Sequence, residues 1–281
     1  MTSAAPSPAK AAVIPEGERR HATIMLSDLS GYTAMNEALD PETVQEIMGR
    51  NAGWLAAATG LARRSDEDAP HLIYVPEIPV SWNKVAGDVR EVLRRLGRCV
   101  LAVSEGCVDE QGKYLSEQAG SFGKDAFGHA QLGGAAETIG AFIEKEVGVK
   151  ARRNKPGTLQ RNGAHWASRT DVEEAWRCGQ AAVYHALAGT SGQMVTLVRE
   201  SNRPYRCATG LARLSEVANG ESKLPRDFMD AAGTGISKKF RAYLTPLVQG
   251  EIKPPMGPDG LPLYVRLRRK LLAKKCGAWQ K

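Results

Sequence analysis

The stretch HLIYVP at residues 71–76 is followed by KVAGDVREVLRRL at residues 84–96 and by CVLAVS at residues 99–104. The first and third are apolar runs as long as a buried strand, and the middle one repeats apolar residues at helical spacing. A strand, a helix and a second strand in this order favour a right-handed crossover between parallel strands. The pattern predicts an α/β fold, a mainly parallel sheet with helices on both faces, which binds ligands at the carboxyl ends of its strands.

Further elements continue this alternation on both sides. Thr170-Asp-Val-Glu173 has the form of a capping box, so we expect Thr170 to begin a helix that runs to about Leu187 and ends at Gly189. After residue 198 the sequence is rich in Pro and Gly and less periodic. The other predicted elements are a strand at 22–29, helices at 34–39, 54–64 and 135–147, and a strand at 193–198.

Composition bounds the class of protein. The chain has 281 residues, 42% of them hydrophobic and 25% charged, which is typical of a globular protein. It has no apolar run of about eighteen residues and no secretory leader, so we expect a cytoplasmic protein without a membrane partner. Its five cysteines form no C-x-x-C pair, and we interpret them as free thiols.

The positive charge is concentrated at one end of the chain. The formal net charge is +7, and the last residues, 261–281, contain seven Lys and Arg and no acid. The rest of the chain is therefore neutral overall, which argues against a nucleic-acid binder. The basic tail is either a solvated segment or a site for a polyanion or acidic partner.

Several polar residues fall where predicted strands end or helices begin. Arg50 precedes a helix, Glu77 follows a strand, and Arg152 and Arg161 lie on a loop. An arginine can pair bidentately with phosphate and a carboxylate can accept from a sugar hydroxyl, so these residues could hold a sugar phosphate. Arginines at loop ends are also often simply solvated. The common phosphate-loop, dinucleotide and zinc-protease motifs are absent.

Six segments in order, over roughly residues 45–250, resemble 6-phosphofructokinases, and two of them most resemble the pyrophosphate-dependent branch. The segments are MGRNAGW (48–54), HLIYVPE (71–77), SEG (104–106), DAFGH (125–129), GTLQR (157–161) and ASRTD (167–171). The resemblance implies the fold of the carboxyl-terminal half of that family. It also implies transfer of a phosphoryl group to fructose 6-phosphate, as in glycolysis.

Matched residue by residue, the resemblance implies a substrate site. Met48, Gly49 and Arg50 match the loop that contacts fructose 6-phosphate, and Glu77 matches a carboxylate that holds a sugar hydroxyl. Arg161 matches an arginine on the substrate phosphate.

Three further positions belong to the same expected site. Gln160 lies beside Arg161, and Thr158 stands where many ATP-dependent members have a histidine. Arg152 matches an arginine that reaches the sugar phosphate of a neighbouring subunit, which implies a homodimer or pairing with a related subunit.

The donor half of the family has no counterpart in this sequence. The G-G-D-[GS]-[ST] loop and the T-x-D-x-D loop with the catalytic aspartate are both absent. We therefore expect a fructose 6-phosphate-binding half that is weak or inactive alone. In the complete family the donor is pyrophosphate or ATP and Mg²⁺ takes part. The alternative is a non-catalytic module that pairs with an intact phosphofructokinase subunit.

Residues 15–44 resemble the opening strand and helix of class III nucleotide cyclases, with Asp28 at the first metal-binding aspartate. Lys84-Val-Ala-Gly-Asp88 has the form of that family's second metal-binding hairpin, but its helical spacing favours a helix. Without a second carboxylate, Asp28 cannot support two-metal chemistry. The expected domains are a disordered leader (1–14), the cyclase-like segment (15–44), the sugar-phosphate domain (45–260) and the basic tail (261–281).

Overall fold

A computed structural model describes residues 52–118, 134–154, 167–217 and 222–263. The helices are α1 (Trp54–Ala58), α2 (Trp82–Leu96), α3 (Ala135–Glu146), α4 (Arg169–Leu187), α5 (Leu214–Val217) and α6 (Lys238–Leu244). The strands are β1 (Leu72–Tyr74), β2 (Leu101–Val103), β3 (Gln193–Asn202) and β4 (Tyr205–Arg213). Short 3₁₀ turns lie at Thr59–Ala62, Leu115–Gln118, Arg226–Phe228 and Thr245–Val248.

Strands β1 and β2 pair in parallel, with Leu72 opposite Leu101 and Tyr74 opposite Val103. The crossover between them is α2, as the sequence predicted. Successive residues of β1 point to opposite faces of the sheet, so Leu72 and Ile73 enter different hydrophobic clusters. Both faces are therefore covered, which confirms the predicted α/β class.

The first cluster joins one face of β1 to α2 and α3. Helix α2 buries Val85, Val89 and Val92, which lie on one side because they are three or four residues apart. Phe142 of α3 packs on Trp82, with ring centroids 4.6 Å apart. This cluster fixes both helices against the sheet.

The second cluster covers the other face of β1 with aromatic residues. Trp54 of α1 packs on Phe228 and on Phe240 of α6, at centroid distances of 5.8 and 6.0 Å. Phe240 is fully buried. Burying aromatic side chains of this size is a dominant source of stability. We call β1, β2, α1, α2, α3 and α6, with their described loops, the sheet unit.

Helix α4 packs on an antiparallel hairpin formed by β3 and β4. Residues 168–213, the helix-hairpin unit, contribute no member to either hydrophobic cluster. Polar contacts stabilise this unit internally and also join it to the sheet unit, as the next two hydrogen bonds show in that order. Tyr205 donates to the buried Glu174 of α4 at 2.7 Å. Arg199 donates to the backbone oxygen of Tyr243 at 2.8 Å.

Two expectations for this region are wrong. The N-cap of α4 is Ser168, whose hydroxyl accepts from the Asp171 amide at 3.1 Å, so Thr170 lies inside the helix. The residues after Val198 also form a second strand, because β3 extends to Asn202 and β4 returns antiparallel to it. The predicted helix end is confirmed, since Gly189 adopts a positive φ directly after the C-cap.

The helix predicted over 54–64 is shorter, because α1 ends at Ala58 and continues as a 3₁₀ turn to Ala62. Among the described residues, no helix has both the length and the apolar character needed to cross a membrane. The strand and helix expected before residue 40, the cyclase-like segment with Asp28 and the basic tail from residue 264 lie outside the described residues.

Candidate active site

Glu77 lies three residues beyond the end of β1, at the edge where the predicted site belongs. Its Oε1 accepts from the amide of Gly53 at 2.9 Å and from the amide of Leu224 at 2.7 Å. These donors are 24 and 147 residues away along the chain, so the carboxylate joins three separate segments. Its Oε2 is buried and accepts no hydrogen bond from the described residues.

The approach of Gly53 to Glu77 depends on the missing side chain. A Cβ at Gly53 would lie 2.6 Å from Glu77 Oε2 and 2.6 Å from Val75 Cβ, closer than atoms can pack. Gly53 is also the N-cap of α1, and Trp54 next to it donates from Nε1 to the Ser222 oxygen at 2.7 Å. Glycine therefore allows helix α1 to begin directly against the Glu77 carboxylate.

Glu105 has an equivalent position after β2. Its Oε1 accepts from the amide of Ala135, the first residue of α3, at 3.3 Å. Gly134 makes this contact possible, since a Cβ there would lie 2.3 Å from Glu105 Oε1. Neighbouring parallel strands thus each end in a glutamate that accepts from an amide at the start of a helix. The SEG segment contains this signal, but Glu105 is not among the site residues that the sequence predicted.

Cys107 lies fully buried close to these two carboxylates. Burial, together with the negative charges of Glu77 and Glu105, raises the pKa of its thiol to about 12, although a hydrogen bond from the Ser104 backbone opposes this. Cys107 is therefore a protonated, unreactive thiol near neutral pH. This agrees with the expectation of free thiols, which is confirmed for the four described cysteines.

Comparison with known proteins shows the family of this chain. Residues 33–186 match the family model described as Phosphofructokinase. The chain belongs to the phosphofructokinase family. The resemblance to 6-phosphofructokinases is thereby confirmed, whereas no comparison shows the resemblance to nucleotide cyclases.

Two relatives carry the name pyrophosphate–fructose 6-phosphate 1-phosphotransferase. The one from Xanthomonas campestris pv. campestris is 42% identical over 247 residues, which are 88% of this chain and 59% of the relative. The one from Halomonas elongata is 41% identical, over 83% of this chain and 54% of the relative. The chain therefore spans a little over half the length of these relatives.

A solved structure gives the same relationship. The crystal structure of a pyrophosphate-dependent phosphofructokinase from Marinobacter aquaeolei superposes with a TM-score of 0.68 at 36% identity. The match covers 87% of this chain and 59% of that one.

Of the predicted site residues, the structure describes Glu77 and Arg152. Arg152 follows α3 and is exposed, with no hydrogen bond or ion pair to any other described residue. Its neighbour Arg153 instead binds Glu144, with Nη2 and Oε2 2.6 Å apart. The remaining predicted residues, Met48, Gly49, Arg50, Thr158, Gln160 and Arg161, lie outside the described residues.

The described residues do not form a magnesium site. No group of three or more His, Cys, Asp or Glu side chains in the described ranges is placed to hold a metal ion. Asp88, the residue of the hairpin-like segment, lies on α2 as the helical spacing predicted. It accepts from Lys84 of the same helix at 2.5 Å and from Tyr74 at 3.4 Å. No catalytic step can be assigned to a metal from these residues.

A polar cleft lies at the opposite, amino-terminal end of β1, and Asp66, Asp88, Glu91 and Arg95 are among the residues that line it. Most of these groups are already engaged. Glu91 pairs with Arg94 at 2.8 Å and Arg95 donates to the backbone oxygen of Asp66. Asp88 accepts from Lys84 and Asp66 pairs with Arg63, so neighbouring side chains already hold the charged groups of this cleft.

Proposed function

We propose that this chain provides the fructose 6-phosphate site of a pyrophosphate-dependent phosphotransferase. In that reaction the C1 hydroxyl of the sugar attacks one phosphorus of pyrophosphate. The bridging P–O bond breaks, and the products are fructose 1,6-bisphosphate and orthophosphate. The hydroxyl proton leaves with a base.

The Glu77 carboxylate is the observation that carries this proposal. One of its oxygens accepts from two backbone amides, which hold the side chain in place, and the other is buried without a donor among the described residues. Leaving a buried acceptor unpaired costs on the order of 1–3 kcal/mol. A sugar hydroxyl would supply the missing donor, and a rigid carboxylate would fix the orientation of the sugar.

The other residues of the proposed site follow the family resemblance. Gly53, which binds Glu77, comes three residues after Arg50 in the segment MGRNAGW. We assign Met48, Gly49 and Arg50 to one side of the sugar phosphate. We assign Thr158, Gln160 and Arg161 to the other side, where Arg161 would neutralise the phosphate.

The exposed Arg152 favours a subunit contact. Glu144 holds Arg153, whereas Arg152 is exposed and forms no hydrogen bond or ion pair with another described residue. We propose that Arg152 contributes to the phosphate site of a neighbouring subunit, either a second copy or a related phosphofructokinase. Under this second candidate function the chain acts as a binding module.

Turnover requires parts that the sequence does not contain. The sequence lacks the motifs of the donor loop and the catalytic aspartate, and the described residues hold no group that could bind Mg²⁺, so we propose weak or absent activity for the chain alone. The names of the relatives favour pyrophosphate as the donor. The four-domain division, the cytoplasmic location and the cyclase-like segment stay predictions.

Titration calorimetry of the 281-residue chain with fructose 6-phosphate tests the site. Glu77→Gln should weaken binding at least tenfold, because the amide can replace one oxygen toward the backbone donors but offers no second acceptor to the sugar. Arg161→Ala should remove the preference for fructose 6-phosphate over fructose. Glu110→Gln changes an exposed carboxylate elsewhere and should bind as the unmodified chain does. Equal affinity in Glu77→Gln, or no binding by the unmodified chain, contradicts the proposal.

A further inference from the structure

Trp54 makes two kinds of contact at the start of α1. Its ring packs on Phe228, Phe240 and Tyr243 in the second cluster, at centroid distances of 5.8 to 6.0 Å. Its indole Nε1 also donates to the backbone oxygen of Ser222 at 2.7 Å, which joins segments 168 residues apart along the chain. Burial explains the ring contacts. The hydrogen bond adds something different, since it fixes the position of Ser222 relative to α1.

Ser222 lies two residues before an amide that binds the carboxylate of the candidate site. The amide of Leu224 donates to Glu77 Oε1 at 2.7 Å, and the Leu224 side chain is buried in the second cluster. Ser222 itself is exposed. Because two residues of extended chain span at most roughly 7 Å, an anchor at Ser222 restricts the positions that the Leu224 amide can take.

These contacts form a closed circuit around Glu77. Its Oε1 accepts from Gly53 at 2.9 Å and from Leu224 at 2.7 Å. Trp54 follows Gly53 in the sequence. The indole of Trp54 binds Ser222, two residues before Leu224. The two amides are therefore held relative to each other as well as to the carboxylate, and hydrogen bonds in such a network depend on one another.

The circuit determines which oxygen of Glu77 is left for a ligand. Both amides bind Oε1, while Oε2 is buried and accepts no hydrogen bond from the described residues. The terminal torsion of a glutamate side chain is broad and roughly two-fold, so a carboxylate held by one amide can exchange its two oxygens. Two amides from separate segments oppose this exchange and keep the same oxygen unpaired.

We infer that Trp54 is a positioning residue for Glu77. Its indole N–H holds the Ser222 carbonyl, the held segment places the Leu224 amide on Oε1, and Oε2 thereby stays available to a sugar hydroxyl. The part played in sugar binding rests on the proposed function, whereas the control of the Glu77 carboxylate by Trp54 does not. The inference concerns the N–H group alone, because the ring stabilises the second cluster in any case.

Removal of the N–H without the ring separates these two roles. A tryptophan analogue with sulfur in place of the indole N–H is incorporated at residue 54 of the full 281-residue chain by stop-codon suppression. The analogue keeps the size of the ring, so the melting temperature should fall by no more than about 4 °C. The same analogue at residue 82 is the matched control, because Trp82 packs on Phe142 in the first cluster.

Hydrogen exchange of the Leu224 amide, measured by NMR without ligand, is the first readout. The analogue at residue 54 should accelerate it about tenfold, because the Ser222 anchor is lost. The Phe240 amide, which donates to Ser237 Oγ at 3.1 Å in the same cluster, should exchange at an unchanged rate. The carboxyl carbon signal of Glu77 should shift or broaden. Unchanged Leu224 exchange, or an equal acceleration at Phe240, overturns the inference.

Calorimetry with fructose 6-phosphate is the second readout. The analogue at residue 54 should weaken binding roughly three- to tenfold, and the analogue at residue 82 should leave it unchanged. In a Glu77→Gln chain the analogue at residue 54 should weaken binding by less than about twofold more, because both changes act on one carboxylate. Losses that multiply, or full affinity with the analogue at residue 54, overturn the inference.

Failure of the proposed function gives a different result. If the unmodified chain does not bind fructose 6-phosphate, the proposed function is wrong. The Leu224 exchange rate and the Glu77 carboxyl signal then still show whether Trp54 controls the carboxylate. If the unmodified chain binds the sugar and the analogue at residue 54 changes neither of these two signals, the proposed function stands and the inference is wrong.

Discussion

Helices α2 and α4 both present apolar residues at helical spacing, but only α2 has them covered. Val85, Val89 and Val92 of α2 pack against the sheet and α3, whereas Trp176 and Val183 of α4 face outward. Periodicity in a sequence predicts that a helix has an apolar side. It does not predict which part of the chain, or which other polypeptide, covers that side.

The two units also differ in what holds them. The sheet unit is stabilised by two hydrophobic clusters that enclose β1. The helix-hairpin unit is tied on by polar and stacking contacts, such as Arg199, whose guanidinium lies 4.8 Å from the Tyr205 ring and 4.7 Å from the Tyr243 ring. Hydrophobic burial contributes most of the stability of a fold, so substitutions should cost far more in the sheet unit.

The largest difference should appear between two aromatic residues. Phe240→Ala removes a fully buried ring from the second cluster and should lower the free energy of unfolding by about 3–5 kcal/mol. Tyr184→Ala removes a ring that is mostly exposed on α4 and should change it by less than about 0.5 kcal/mol. Urea unfolding followed by circular dichroism measures both. Similar losses in the two variants would show that the helix-hairpin unit has cover of its own.

Two valines on the two helices make a closer comparison. Val89→Ala opens a cavity in the first cluster and should cost about 2 kcal/mol. Val183→Ala should leave stability within about 0.5 kcal/mol of the unmodified chain, because the side chain is half exposed and alanine favours helix. If Val183→Ala costs as much as Val89→Ala, the side of α4 that carries Val183 is packed against other residues.

The sheet unit was largely predictable because its elements are short apolar runs and strongly periodic helices. Strand β4 was missed since Pro204 and Gly210 make the region look like a loop. Gly210 lies within β4, and a Cβ there would lie 2.7 Å from Val198 Cγ2, so any larger residue would make the Val198 side chain shift. In the sequence, the only sign of this close contact between strands is a glycine. Because glycine is also common in turns, it was interpreted as part of a loop.

The sequence predicted the Glu77 carboxylate of the candidate site but not the backbone amides that bind it. Glu77 was expected from the end of an apolar run and from the family resemblance. The amides that hold it belong to Gly53 and Leu224, and every non-proline residue has such an amide. The sequence therefore contains no signal for Leu224, which is 147 residues away from Glu77.

The start of α4 gives the smallest and most local test. Thr170 and Glu173 have the spacing of a capping box, but Ser168 caps the helix and also donates to the Leu247 oxygen at 2.5 Å. Ser168→Ala should cost about 1 kcal/mol, because an amide of the first turn and a carbonyl lose their partners. Thr170→Ala should cost less, since its hydroxyl makes only a 3.4 Å contact with the Gln249 oxygen. Urea unfolding of the two variants shows which residue is the N-cap. A larger loss of stability in Thr170→Ala than in Ser168→Ala would support Thr170 as the N-cap. Because Ser168 also joins α4 to the turn after α6, its loss should increase hydrogen exchange in α4 more than in α2.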